Sequence, residues 1–320
     1  MMILTYEKAL EKALHDSLEK NPNVVLFGED IEHNLYGYTN GFVEKFGRER
    51  IRDIPLSEAS IMGLVCGASM CGLRPILDLT VQNFLFVAMD QICSIAAKTH
   101  YMYNGRYKLP LTIITSSLCG SGSAAQHSDR LHSMFSTIAG LKIITPATPQ
   151  DMYSMLIEAI ESDDPILCFT DRILFKQEEQ VSFKPTKTIG KCKIVKKGED
   201  FTIITISTSL KIVKEILPEI QSLGKSPEII DIRSVVPLDF QTIKKSVQKT
   251  GKVLICDTAN KTSSTASEIS SLLAQYAFKY LKAPIQIVAS ENIPIPFAKC
   301  LEQEVIISKE KILRSIRENF

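Results

Sequence analysis

Short apolar runs alternate with longer amphipathic segments along most of the chain, and this alternation is what most constrains the fold. Val24–Phe27, Arg74–Thr80 and Leu111–Thr115 are typical of buried strands, whereas residues 6–18 and 83–98 carry apolar side chains at helical spacing. Strands and helices that alternate in this way build a parallel sheet covered by helices. We therefore predict an α/β protein.

A change in composition near the middle of the chain indicates two domains, which a length of 320 residues permits. Between Arg172 and Asp200 the sequence becomes rich in charged and polar residues with weak periodicity, as in a surface linker. The α/β alternation then resumes from Phe201 in a smaller form. We place the boundary near 185, which predicts a domain of residues 1–185 and a second of residues 186–320.

Composition and charge exclude several classes of function. Thirty-seven Lys and Arg balance 36 Asp and Glu, so no overall field favours nucleic acid or an anionic membrane surface. No apolar stretch approaches the roughly 20 residues that span a bilayer, and charges appear too early for a secretory signal. The eight cysteines form no C-x-x-C pair, which favours buried thiols over disulfides or zinc. We expect a cytoplasmic protein.

One carboxylate stands out in the segment Ile54–Gly72. Glu58 directly precedes a run of small and apolar residues, which predicts a buried helix with a carboxylate at its start. Gly63 and Gly67 would let a backbone or a flat ligand approach closely. Two interpretations are open from the residues alone: Glu58 caps the helix, or it binds a ligand.

One histidine also stands out. His127 lies in a loop of small residues, 119–129, that follows a predicted strand, so proton transfer and a purely structural role are both open. The second half of the chain contains no histidine and is expected to be a scaffold or partner-binding domain. Nucleophile elbows, metal-ligand clusters, phosphate loops and dinucleotide fingerprints are not found in a convincing context.

Several longer segments together resemble one family, and they occur in the family's order over nearly the whole chain. They are FGEDI (27–31), KFGRERIRDIPLSEASIMG (45–63), NFLFVAMDQI (83–92), AAQHSD (124–129), GLKIITPATPQD (140–151) and DIRSVVPLD (231–239). The sequence resembles the β subunits of thiamine-diphosphate-dependent 2-oxo acid dehydrogenase E1 components, such as the pyruvate, branched-chain and acetoin enzymes. The resemblance implies a transketolase-like pyrimidine-binding domain with a parallel sheet, followed by a smaller transketolase C-terminal-type α/β domain.

The resemblance also implies roles for individual residues. Glu58 would hydrogen-bond the aminopyrimidine ring of thiamine diphosphate and promote its catalytic tautomer. Phe84 would stack on that ring, and Leu56 and Thr80 would complete the cofactor-binding set. His127 matches the family's histidine near the reactive carbon, where it would assist acyl transfer.

The family's partners and ions follow from the same resemblance. Its diphosphate and Mg²⁺ are held by a GDG motif on an α subunit, and this chain has no GDG, so an α2β2 heterotetramer is implied. The substrate would be a 2-oxo acid, with pyruvate favoured, and the acyl group would pass to a lipoyl-bearing E2 acyltransferase. A structural K⁺ held by backbone carbonyls is implied near positions matching Leu111, Ala159, Ile160, Ser162 and Asp164, where Ser162 replaces the usual Asp.

One segment departs from the family. Residues 257–265 read DTANKTSST, whereas relatives commonly carry an E-A-H-R-T-G-G-like sequence there. Either substrate or partner contacts have changed, or the chain is a diverged paralogue with a specialised role. This segment motivates one alternative to an E1 β subunit, a non-catalytic β-like assembly module. The other alternative is the C-terminal half of a two-subunit transketolase, which the resemblance implies would use the same domains and glutamate.

Overall fold

Internal contacts divide the chain into two units in a computed structural model that describes residues 1–184 and 186–320. The first unit comprises residues 1–117 and 135–189, and the second comprises residues 118–134 and 190–320. This division differs from two continuous domains, because the segment that carries His127 groups with the second unit. The boundary predicted from composition falls on Pro185, which lies outside the described residues.

A parallel sheet runs through the first unit. The strands of this unit are β1 (Met2–Thr5), β2 (Val24–Gly28), β3 (Ile51–Asp53), β4 (Arg74–Val81), β5 (Thr112–Ser117), β6 (Lys142–Ile144), β7 (Ile166–Asp171) and β8 (Glu178–Val181). The sheet has the order β6-β7-β5-β4-β2-β3, and each neighbouring pair is parallel. A separate antiparallel pair joins β1 to β8. The predicted α/β class and parallel sheet are confirmed.

Helices cover this sheet, and their ends follow ordinary capping chemistry. They are α1 (Tyr6–Lys20), α2 (Phe42–Phe46), α3 (Glu58–Met70), α4 (Thr99–Met102) and α6 (Pro149–Glu161). The short α5 (His132–Phe135) is the segment in which the chain passes in sequence from the second unit to the first. Thr148 caps α6 by accepting a hydrogen bond from Asp151 N, and Pro149 occupies a first-turn position. Helices α1 and α6 pack against each other and bury Leu10 and Leu14 completely.

The single helix predicted over residues 83–98 is wrong. The structure has a 3₁₀ helix at Gln82–Phe86 and a π-helical turn at Gln91–Ala96 instead. The apolar spacing correctly reports which side chains turn inward, since Leu85 and Ile92 are fully buried. Spacing alone does not distinguish i+3, i+4 and i+5 hydrogen bonding, because the three patterns place inward-facing residues at similar intervals.

Helix α3 is buried on one face only, which corrects the prediction of a buried helix. Met62 and Val65 are fully buried, and the helix packs against the π-helical turn. The opposite stripe is exposed at Ser60, Leu64, Gly67 and Cys71, and Leu64 leaves 51% of its surface accessible. The apolar character of α3 therefore exceeds what the chain's own core requires.

The second unit contains a smaller sheet of the same class. Its elements are β9 (Lys193–Lys196), β10 (Thr202–Thr205), α7 (Ser209–Ser222), β11 (Glu228–Asp231), β12 (Ser234–Val236), α8 (Phe240–Thr250), β13 (Val253–Asn260), α9 (Thr265–Tyr276), β14 (Gln286–Ser290), α10 (Lys299–Val305) and α11 (Lys309–Asn319). The order is β14-β13-β10-β11-β9, with β9 as an antiparallel edge strand. Throughout residues 1–184 and 186–320, no helix is long and apolar enough to cross a membrane.

Candidate active site

Polar side chains gather at the carboxyl edge of the sheet in the first unit. Glu29 and Asp30 directly follow β2, and Glu58 follows β3 after a short loop. Thr80 lies near the end of β4, and Phe84 lies on the 3₁₀ helix that continues that strand. Because parallel strands end at the same edge, ligands of such sheets bind there. The structure therefore brings the predicted cofactor residues of this unit to one edge.

Glu58 is the first residue of α3 and is half-buried. The preceding Ser57 makes no side-chain capping bond, so this helix start has unsatisfied backbone N–H groups and a partial positive charge. A carboxylate is stabilised in that position. Leu56, in the loop just before it, is 78% exposed. The strong burial expected for Glu58 is not present within this chain.

Glu58 belongs to a cluster of carboxylates. Burial raises the pKa of Glu29, and the nearby charges of Glu58, Asp30 and Asp78 raise it further. Asp78 is fully buried, and burial raises its pKa although Tyr38 Oη donates to its Oδ2 at 2.5 Å. The cluster makes this edge of the sheet electronegative, so it favours a ligand that is cationic or donates hydrogen bonds.

Thr80 has a strained backbone at this edge. Its φ of +54° is in the left-handed region, which a β-branched residue rarely adopts. The hydrogen bond from Thr80 N to Asp78 Oδ1, at 2.8 Å, holds the conformation. Tyr36 approaches the Thr80 side chain, and burial raises the pKa of the Tyr36 phenol. Strain of this kind is commonly retained at functional sites.

His127 lies in the second unit, so the structure does not group it with Glu58. It is half-buried in the loop that follows β5, where Leu118 N donates to the His127 carbonyl at 3.1 Å. The same loop is anchored by Gly120 N, which donates to Oε1 of Glu302 at 2.7 Å. Glu302 is fully buried on α10. The loop therefore has a defined conformation within its unit.

A buried hydrogen-bonded pair of titratable side chains lies close to this loop in sequence, and sequence patterns did not predict it. His132 Nε2 and Asp257 Oδ1 are 3.0 Å apart, and both side chains are almost inaccessible. Burial alone would raise the pKa of Asp257, but the charge and hydrogen bond of His132, with the N–H groups of Ala259 and Ala266, hold it below its usual range. Asp257 opens the divergent segment 257–265, which therefore has a structural anchor of its own.

The residues expected to hold potassium also come together in the first unit. Ala159 and Ile160 end α6, Ser162 and Asp164 lie in the turn that leads to β7, and Leu111 directly precedes β5. The carbonyls of Ile160 and Ser162 both accept hydrogen bonds from Arg74.

Two family patterns match most of the chain. The transketolase pyrimidine-binding domain matches residues 3–177, and the transketolase C-terminal domain matches residues 190–312. Among relatives, the pyruvate dehydrogenase E1 component subunit β of Chaetosphaeridium globosum is 35% identical, covering 99% of this chain and 98% of its own length. The chain belongs to the family of 2-oxo acid dehydrogenase E1 β subunits. Another relative is the β subunit of the acetoin:2,6-dichlorophenolindophenol oxidoreductase of Bacillus subtilis (strain 168), which is 33% identical over 97% of this chain and 95% of its own length.

Solved structures agree with this E1 β fold. A split-gene transketolase, described as an inactive β4 tetramer, superimposes with a TM-score of 0.82, covering 98% of this chain and 97% of its own. Its sequence is 18% identical, so the likeness concerns the fold alone. The E1 β relatives, in contrast, share a third of their residues with this chain over nearly its full length.

The carboxyl edge of the first sheet fits one half of thiamine diphosphate, the cofactor with which E1 β membership is consistent. Glu58 offers a carboxylate to the N–H groups of an aminopyrimidine, and Phe84 offers an aromatic face. The electronegative cluster around Glu29 suits a cationic thiazolium. A diphosphate, however, would be repelled by these carboxylates, and the sequence has no GDG motif to hold it.

Proposed function

We propose that this chain is the catalytic β subunit of a pyruvate dehydrogenase E1 component that is active only when assembled with an α subunit. The single observation that carries the proposal is the position of Glu58, at the start of α3 and on the carboxyl edge of the parallel sheet, in a chain with full-length E1 β relatives. Thiamine diphosphate supplies the nucleophilic carbon and the electron sink for decarboxylation when it is bound. The chain's own residues would orient it and move its protons.

Each predicted side chain has a distinct task in this proposal. Glu58 would accept a hydrogen bond from the aminopyrimidine ring and share a proton with it, which sets the tautomer needed for catalysis. Phe84 would pack against the ring face, and Leu56 and Thr80 would position its edge through backbone groups. His127 would donate or accept a proton as the acyl group is transferred to a lipoyl-bearing E2.

The α subunit would supply what this chain lacks. We propose that it holds the diphosphate and Mg²⁺ through a GDG motif and forms an α2β2 heterotetramer with this chain. The exposed stripe of α3 supports this assignment, because Leu64, like Phe86 and Val87 on the segment after β4, is an exposed apolar side chain of the kind that partners cover. A second chain packed at the start of α3 would also exclude competing water from Glu58.

Pyruvate is favoured as the substrate, with acetoin as the second candidate. Relatives named pyruvate dehydrogenase E1 β come from several organisms at 33–35% identity, while an acetoin oxidoreductase β subunit matches at 33%. A panel of 2-oxo acids and acetoin, assayed with the co-purified α subunit and E2, separates them. We expect pyruvate to give the highest kcat/KM, and a higher value for acetoin would favour the second candidate.

The substitution Glu58→Gln tests the catalytic assignment. It keeps the size of the side chain and removes the carboxylate, so we expect decarboxylation by the assembled enzyme to fall by about 10²-fold or more. The melting temperature and the assembly with the α subunit should not change. Glu161→Gln, at an exposed position on α6, is the matched control and should retain activity. A Glu58→Gln enzyme with a near-normal rate would contradict the proposal.

The isolated chain tests the shared site. Because it carries only the pyrimidine-binding half, we expect it to bind thiamine diphosphate weakly, as measured by isothermal titration calorimetry. Tight stoichiometric binding without an α subunit would show that the site is not divided between two chains.

A further inference from the structure

Four of the five backbone carbonyls that the resemblance assigns to a potassium ion, those of Leu111, Ala159, Ile160 and Ser162, accept hydrogen bonds from protein donors. The Leu111 carbonyl accepts a hydrogen bond from Ile166 N at 2.9 Å. The Ala159 carbonyl accepts one from Ser162 N at 3.1 Å, at the last turn of α6. Both bonds belong to the backbone framework, so these two oxygens have a structural use that needs no ion.

A single nitrogen atom of Arg74 donates hydrogen bonds to two further carbonyl oxygens of the expected set. Its Nη1 donates to the carbonyl of Ile160 at 3.1 Å and to the carbonyl of Ser162 at 2.9 Å. Its Nη2 pairs with Asp163 Oδ1 at 2.6 Å. Arg74 is the first residue of β4, and its side chain is half-buried, with 24% of its surface exposed. A positively charged group is therefore already held where both carbonyls point.

This arrangement has a clear electrostatic basis. The last carbonyls of α6 have no partners within the helix and carry the partial negative charge of its C-terminus, so they attract a cation. A potassium ion satisfies such carbonyls by replacing its water ligands with them. A guanidinium satisfies them equally, because it is a permanent cation with five N–H donors. A second cation on the same two oxygens would be repelled by the first.

The surrounding charges leave no excess of carboxylate for an added ion. Asp163 is shared by Arg74 and by Lys108 Nζ, which lies 2.6 Å from its Oδ2. Asp164 pairs with Lys142 Nζ at 2.6 Å. Three cationic side chains thus face two carboxylates. Ser162, where the family usually has Asp, adds no charge, and its hydroxyl accepts from Asp164 N at 3.2 Å.

We propose that Arg74 takes the place of the structural potassium ion in this chain, so that folding and stability of the first unit require no monovalent metal cation. Of the expected ligand set, the carbonyls of Leu111, Ala159, Ile160 and Ser162 then have donors within the protein, and the Asp164 side chain pairs with Lys142. The inference concerns the scaffold and does not depend on which substrate the enzyme uses.

Thermal melting of the assembled enzyme tests this proposal. Melting temperatures are measured in KCl, NaCl and choline chloride at equal ionic strength, after exhaustive dialysis against choline chloride. We expect no difference between the three salts beyond measurement error. Crystals soaked in a thallium(I) salt then locate any bound cation through its anomalous scattering, since Tl⁺ binds at K⁺ sites. A saturable rise in melting temperature with KCl, together with Tl⁺ in contact with Ile160 and Ser162, would overturn the proposal.

Substitution of the arginine provides a second test. Arg74→Gln removes the charge that faces both carbonyls, so we expect its melting temperature to fall in all three salts. Lys108→Gln is the matched control, because it removes the other partner of Asp163 without touching a carbonyl, and it should melt close to the wild type. If Arg74→Gln has the melting temperature of the wild type in choline chloride, Arg74 does not stabilise this region in place of an ion. If that variant fails to fold, the salt comparison on the wild type still decides.

Discussion

The buried pair between His132 and Asp257 should contribute strongly to the stability of the second unit. Asp257 accepts from His132 Nε2 at 3.0 Å, from Ala259 N at 3.0 Å and from Ala266 N at 3.2 Å. The last of these donors lies in the first turn of α9, so the carboxylate also faces the positive end of that helix. Removal of one partner from a buried charge pair typically costs about 3–5 kcal/mol.

We therefore expect His132→Gln and Asp257→Asn each to lower the free energy of unfolding by about 3 kcal/mol, the lower end of that range, because both replacements still form hydrogen bonds. Urea denaturation followed by circular dichroism measures the loss. Amide hydrogen exchange in β13 and α9 assigns it to the second unit, since the chain contains no tryptophan to act as a local probe. The double variant should lose much less than the sum of the two single variants.

The exposed pair of Lys20 and Glu161 provides the control cycle. These side chains are 2.6 Å apart but are 73% and 51% exposed, so solvent screens their attraction. We expect their coupling energy to be close to the error of the measurement. A coupling between His132 and Asp257 that is no larger than this control would refute the argument from burial.

The dependence of the free energy of unfolding on pH, measured at acid pH, gives an independent check on the same pair. The pKa of Asp257 is held below its ordinary value of 3.8 in the folded chain, so its contribution is complete above that value. It is lost as the pH falls through the lower pKa of the folded state, where the carboxylate takes up a proton. Asp257→Asn should therefore show a flatter decline than the wild type in this acid range. Identical slopes would mean that Asp257 titrates alike in the folded and unfolded chains.

Two further predictions follow from local geometry. Gly140→Ala should lower the free energy of unfolding by about 2 kcal/mol or more, measured by urea denaturation. Its φ is +103°, and a Cβ atom would lie 1.9 Å from the Ala97 carbonyl oxygen. Gly41→Ala is the control: its φ is +71° and a Cβ atom there would have no atom within 4 Å, so it should show only the conformational part of this loss. The exposed Cys71 should react rapidly with a thiol reagent in the native chain, whereas Cys66, whose pKa is raised to about 12 by burial, should react only after unfolding. Mass spectrometry locates the label, and rapid labelling of Cys66 in the native chain would contradict its burial.

The exposed apolar stripe on α3 connects the fold to the proposed assembly. A run of small and apolar residues after Glu58 predicts burial, and within this chain only half of that burial is present. The excess has a physical explanation if a second chain covers Leu64 and Gly67, because exposed apolar surface is costly unless a partner removes it from water.

Much of the architecture was predictable from the sequence, because it depends on local patterns. The alternation of apolar runs and amphipathic segments predicts the two α/β units, and strands such as Val24–Phe27 recur almost unchanged as β2. The position of Glu58 at a helix start is also local, since it depends only on the residues just before and after it. The roles proposed for Glu58, Phe84 and His127 stay predictions that rest on the family.

The tertiary structure alone decided the interactions between distant segments. His132 and Asp257 are 125 residues apart, and Arg74 reaches carbonyls 86 and 88 residues further along the chain. Hydrophobic periodicity says which side of an element faces inward, but it does not say which charged groups meet there. That choice is made when the elements pack, because a buried charge must then find a partner or lose its charge. The pairing of His132 with Asp257, the contact of Arg74 with the end of α6 and the exposed face of α3 all follow from packing.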